Sequence, residues 1–195
     1  MTSSIAGIPA WNSAGVLPPI RPNAPGSSPD RSPYAVELAV LFDRFATSPE
    51  RMAILDGLLR FRADLHAAGI TSGFQWLDGS FLEQVELLEG RAPRDMDVVT
   101  FLELPQGLDQ RSLVQQHGAL FDQKHVKATY AMDAYFVVLG QPTDHWQVKS
   151  IAYWYSLWSH RRDGLWKGFV EVDLGPSQDS DARATLNLAG GAHHD

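Results

Sequence analysis

The stretch from Trp76 to Phe101, WLDGSFLEQVELLEGRAPRDMDVVTF, limits what this chain can fold into more than any other, because it sets two acids at the mouth of a strand. The apolar run Phe74, Trp76, Leu77 ends at Gly79-Ser80, and a short helix is expected next. Pro93 then returns the chain into Asp95-Met96-Asp97 and the run Val98 to Phe101. A strand repeats every two residues, so Asp95 and Asp97 project from one face while Met96 and Val98 point into the other. Two carboxylates on one face suit a hard divalent cation such as Mg²⁺ or Mn²⁺, which leaves further positions to phosphate oxygens and water. Gly79 has no Cβ and lets the backbone approach a phosphate, and Ser80 is expected to open a helix whose first N–H groups are free. A phosphate cradle and a metal clamp thus lie one strand apart.

Gly79-Ser80 followed by Asp95-x-Asp97 resembles the signature of the polymerase-beta-type nucleotidyltransferase superfamily. In that superfamily a Gly-Ser helix start binds the triphosphate and two acids hold metal, with a third acid on a later strand. The segment AMDAYFVVLG offers Asp133 at that third position. The sequence departs from the pattern in two ways. Residues 81 to 94 make a longer spacer than compact members have, and Asp78 stands where an apolar residue is commoner. The motif covers residues 74 to 139, and a looser likeness in GVLPP, the helical pair after it and KGFVEVDL is similar to small bacterial nucleotidyltransferase-like proteins. The resemblance implies metal ligation by Asp95, Asp97 and Asp133, a nucleoside triphosphate as donor, and, in many relatives, a role in toxin–antitoxin or phage-defence pairs with a cognate partner protein.

With 195 residues the chain suits one domain. It contains no cysteine, which removes disulfides, thiolate zinc sites and cysteine nucleophiles. The net charge of −7 argues against broad adhesion to nucleic acid. The N-terminus lacks the charged and apolar regions of a signal peptide, and no stretch approaches ~18 uninterrupted apolar residues, so a soluble, cytoplasmic protein is expected.

Residues 1 to 31 are rich in Pro, Gly, Ser and Asn and form an N-terminal arm. Met1 to Ala6 read as a leader, while Ile8, Trp11, Val16, Leu17 and Ile20 suggest a segment laid across the domain. Ser32-Pro33 reads as a helix start, with Tyr34, Leu38, Leu41, Phe42 and Phe45 at helical spacing to about Ala46. Ser48-Pro49-Glu50 repeats that signal before a stripe of Ile54, Leu58, Phe61, Leu65 and Ala68 that Gly69 ends. Arg44, Arg51, Arg60 and Arg62 read as solvated-face charges.

Leu113, Val114, His117, Leu120 and Phe121 predict a helix over the sheet. Lys124, His125 and Lys127 follow, either near a substrate entrance or, the preferred reading, in a solvated connection. Asp144 is expected to cap a helix with a buried stripe of Val148, Ile151, Ala152, Tyr155 and Trp158. Trp146, Trp154, Trp158 and Trp166, interleaved with Lys149, His160, Arg161, Arg162 and Lys167, suit either core packing or base stacking. Lys149 and Lys167 are candidate triphosphate contacts. Phe169 to Leu174 reads as a final edge strand with Glu171 and Asp173 on a solvated face. Residues 176 to 195 read as a flexible tail ending in His193-His194-Asp195.

The expected architecture is α/β: residues 32 to 175 form a mixed, twisted sheet of about four strands with helices packed on it. The expected function is metal-dependent transfer of a nucleoside monophosphate from an NTP to a hydroxyl of a protein or small molecule, or less readily of a tRNA. The alternative is an inactive module of the same fold that binds a nucleotide or a partner protein.

Overall fold

The computed structural model describes residues 7–192. These form a mixed α/β domain around an open five-stranded sheet, β1 (Tyr34–Ala35), β2 (Gly73–Asp78), β3 (Met96–Leu102), β4 (Met132–Val138) and β5 (Val170–Asp173), in the order β1-β5-β2-β3-β4. β2 runs antiparallel to both β3 and β5, while β3 and β4, like β1 and β5, are parallel. The parallel pair β3 and β4 needs a long crossover, supplied by α4 (Gln110–Gln116), α5 (Gly118–Phe121) and α6 (Gln123–Tyr130).

One face of the sheet, with Leu77, Val98, Met132, Val170 and Val172, is buried in the main core beneath α1 (Leu38–Phe45), α2 (Pro49–Ala67) and α8 (Asp179–Ala192). α2 begins where expected, with Ser48 Oγ accepting from Arg51 N. Its arginines depart from the solvated reading. Arg51 and Arg62 are 1% and 0% exposed. Arg62 donates to Gln75 Oε1, to the carbonyls of Asp173, Leu174 and Gly175, and pairs with Asp179 at 2.7 Å. A guanidinium offers five donors in a planar fork, so one buried side chain satisfies loop carbonyls that no helix or strand would. Gln75 in turn donates to Thr100 Oγ1, extending that network across β2 and β3.

Three other expectations are corrected. Tyr34 belongs to a strand, because its N–H bonds to Phe169 O and that of Val36 to Glu171 O, so the first helix starts at Leu38. β5 lies inside the sheet between β1 and β2. Residues 179–192 are helix instead of tail: Ala182, Leu186 and Ala189 recur at helical spacing and pack on the core, a pattern masked by polar composition. His193-His194-Asp195 lie outside the described residues, as do Met1 to Ala6. The rest of the arm is packed: Val16 and Leu17 are buried, Trp11 Nε1 donates to Leu82 O, and Gly168 N donates to Leu17 O.

α7 (His145–Trp158) is capped by Asp144 as expected, but of the predicted stripe only Trp158 is buried. Val148, Ile151 and Tyr155 are exposed, because the helix crosses the less covered face of the sheet. No helix among the described residues is long and apolar enough to cross a membrane.

Replacing Arg62 by Met would leave Gln75 and three carbonyls short of a donor and Asp179 without its closest cation. Loss of one partner from a buried charge network costs about 3–5 kcal/mol. Urea unfolding of Arg62→Met should show a midpoint lowered accordingly.

Candidate functional site

The strand register assembles the acids. Asp78, the last residue of β2, is the partner of Asp97 on β3, and Asp97 is the partner of Asp133 on β4. In a ladder directly opposed residues share a face, so three carboxylates line up across three strands, with Asp95 one step before β3. The expected set of Asp95, Asp97 and Asp133 is therefore brought together, and Asp78 joins it. Burial, and then the charges of Asp95 and Asp133, push the Asp97 carboxyl up to about 6.

Gly79 follows with φ 89° and ψ −175°, a conformation closed to side-chain-bearing residues. A Cβ there would stand 2.9 Å from Asp97 Oδ2, so Gly79 is also what allows the turn to close over the acids. The helix expected after Ser80 is replaced by a three-residue 3₁₀ turn, Ser80–Leu82, and a separate short α3 (Val85–Glu89). The turn is too short to carry a helix dipole, and Gly79 and Ser80 offer backbone proximity instead.

Two buried cations hold this turn from opposite sides. Arg51 donates to the carbonyls of Phe81 and Glu83 and to both oxygens of Glu86. Lys167 lies 2.9 Å from Asp78 Oδ2 and 3.1 Å from Glu83 Oε1. Burial works against its ammonium, yet the charges of Asp78 and Glu83 and their hydrogen bonds outweigh that and raise its pKa. Burial pushes Asp78 up to about 7 despite Lys167, and Asp97 adds to the rise. Lys167, expected at the triphosphate, is thus consumed in an internal ion triad and is only 5% exposed.

Lys149 is exposed on α7 beside Trp146. Its neighbours Gln147 and Ser150 line a cavity of about 280 Å³ with Leu102 and Val138, at the ends of β3 and β4 opposite to the acids. Five steps along those strands amount to roughly 17 Å, so the structure does not bring Lys149 to the site. The tryptophans divide: Trp154 and Trp158 pack inward with Tyr135 and Phe169, while Trp146 and Trp166 stand outside.

Lys127, read by preference as part of a solvated connection, lies instead among the acids. It lies on α6, one turn before Ala131, whose left-handed conformation stops the helix and turns the chain directly into β4. Ala131 O accepts from Met96 N, which seats the end of α6 on the start of β3. Lys127 Nζ is thereby held 2.7 Å from Asp95 Oδ2 and 2.8 Å from Asp133 Oδ2. Its pKa is raised by the hydrogen bonds to Asp133 and Asp95. The signals were available: Asp122 caps at His125 N, and Val126 and Tyr130 recur on one helical face.

The donor chemistry fits a hard cation. All the groups are oxygen ligands, and a monovalent ammonium already stands between two of them. Among the described residues no three acids or histidines converge closely enough to hold a metal ion as they stand.

Fold and site together define a mixed α/β domain with an acidic centre at the sheet's β2–β3–β4 end, roofed by a glycine turn. The chain belongs to a family of unknown function, DUF6932, whose model matches residues 9–173 and so takes in the arm as well as the sheet. No curated protein and no solved structure matches it.

The raised Asp97 pKa carries a sign. The folded protein holds this proton more tightly than the unfolded chain, whose carboxyl titrates near 3.8. The contribution to stability is complete below that value and is lost as pH rises through about 6. Asp97→Asn should therefore be more stable than the wild type at pH 7.5, by about 3 kcal/mol, and lose part of the wild type's decline between pH 4 and 6. Thermal melts across that range check both statements.

Proposed function

We propose that the chain is a metal-dependent nucleotidyltransferase that moves a nucleoside monophosphate from an NTP to a hydroxyl acceptor. The observation that carries this reading is the alignment of Asp97 with Asp133 across parallel strands, with Asp95 beside them and the Gly79 turn directly over Asp97. Oxygen ligands on one face, next to a backbone turn that no Cβ obstructs, suit a metal-bound triphosphate better than any other common ligand.

Asp95, Asp97 and Asp133 would hold Mg²⁺ or Mn²⁺, which when bound supplies charge neutralisation at the α-phosphate. The chain's own contribution is positioning. Gly79 and Ser80 give the triphosphate a close backbone approach, and the buried clamps of Arg51 and Lys167 keep that turn from moving. The acceptor hydroxyl would attack the α-phosphorus and pass its proton to a carboxylate of the acidic set, the bond from that phosphorus to the bridging oxygen would break, and pyrophosphate would leave. The acidic balance of the chain favours a protein or small-molecule acceptor over tRNA.

One observation favours a second reading, that of a nucleotide-binding or partner-binding module without transfer. Lys127 already neutralises Asp95 and Asp133, as a structural ion pair would. Incubation of the protein and of Asp97→Ala with each α-labelled NTP, Mg²⁺ or Mn²⁺ and cell extract separates the two. Transfer predicts labelled acceptor with the wild type and at least a hundredfold less with the variant, following the usual cost of losing a group that stabilises transition-state charge. Metal-dependent nucleotide binding without label would favour the module.

A further inference from the structure

We propose that Lys127 is an exchangeable counter-ion: it occupies the carboxylates of Asp95 and Asp133 in the nucleotide-free protein and moves to the triphosphate when a metal–nucleotide complex enters. This rests on the transferase reading of the site and adds an order of binding to it.

The contacts of Lys127 are short, 2.7 and 2.8 Å, and both go to acids of the candidate metal set. A divalent cation coordinated by the same Oδ2 atoms needs the space that the ammonium fills, so the two occupants exclude each other. The lysine is 50% exposed, and exposed ion pairs are broken at little cost. Contrast Lys167, buried between Asp78 and Glu83, which no ligand would dislodge. The site therefore holds one fixed cation and one movable cation.

The anchoring of Lys127 determines where it goes. Ala131 and its bond to Met96 fix the end of α6 beside β3, so only the flexible four-carbon stem moves. Once a divalent cation neutralises the acids, the nearest remaining negative charge is that of the triphosphate under the Gly79 turn. An ammonium with three rotatable donors suits a phosphate oxygen. Free metal must expel Lys127 without giving it a new partner, whereas metal carried by a nucleotide supplies one. The arrangement selects the metal–nucleotide complex over the free ion.

The test is a Mn²⁺ titration followed by electron paramagnetic resonance, with wild type, Lys127→Met, Lys127→Arg and Asp97→Ala. It is paired with binding of a non-hydrolysable ATP analogue at saturating Mn²⁺. Circular dichroism verifies folding of each variant. Lys127→Met should bind free Mn²⁺ about five- to tenfold more tightly than wild type. It should bind the analogue about tenfold more weakly, the loss of one charge-assisted contact. Lys127→Arg, which keeps a cation between the acids, should stay near wild type for free Mn²⁺. A purely structural lysine would move both affinities in one direction. Free Mn²⁺ binding that is unchanged or weakened in Lys127→Met, while wild type still exceeds Asp97→Ala, overturns the exchange and leaves the site standing. Mn²⁺ binding no better than that of Asp97→Ala in every protein overturns both.

Discussion

The architecture of this domain depends on the ion triad of Asp78, Lys167 and Glu83. Strand pairing places Asp78 against Asp97 and Asp97 against Asp133, and like charges directly opposed in a ladder repel. A buried ammonium within 2.9 Å of Asp78 is what makes that register tolerable. It also fastens the segment after α7 to the turn that roofs the acids, through Glu83. Arg51 completes the clamp from α2, so the turn from Gly79 to Glu86 is gripped by two side chains that are themselves almost wholly buried. Removing either partner would strand charge in a region of low dielectric, the costliest kind of single change.

The two ends of the sheet are built on different principles. At the acidic end, charge is concentrated. At the other end, Leu102, Phe136, Val138 and α4 line an apolar cavity, and α7 leaves Val148, Ile151 and Leu157 in contact with solvent. The acids stand on the face that α7 crosses, and the other face behind them packs through Leu77, Val98 and Met132 into the core, which makes the sheet a stiff platform. Such a division keeps side chains precisely enough placed for ligation while leaving neighbouring surface free to vary.

Much of this was legible in the sequence, and what was not has identifiable causes. Apolar runs found β2, β3 and β4, alternation found β5, and the Asp-x-Asp spacing found the acids, because register along one strand is a local property. The arginines of α2 were misread since Arg51 and Arg62 occupy helical positions next to polar ones, and only the fold shows which carbonyls they serve. α8 was hidden by its Ala, Gly and polar content although Ala182 and Leu186 keep helical spacing. Lys167 looked like a phosphate contact because proximity to tryptophans suggested a binding surface, while its partners Asp78 and Glu83 lie more than eighty residues earlier. Lys127 escaped because its helix was taken as a connection. In each case the missing information was long-range: which distant groups a long, charged side chain must satisfy.

The strand order also has a temporal side. β5 is the last strand in the chain, yet it lies between β1 and β2, and Phe169 and Glu171 supply the carbonyls that pair with the backbone around Tyr34. During synthesis, everything up to residue 160 can exist while the sheet still has a gap in its middle and Asp78 still lacks its ammonium. Closure of that gap delivers Lys167 and the internal strand together, so the acidic centre gains its fixed cation only when residues 167 to 173 join the sheet. A chain that stops before Lys167 would present Asp78 against Asp97 with no buried ammonium beside them, and β1 without the strand it pairs with.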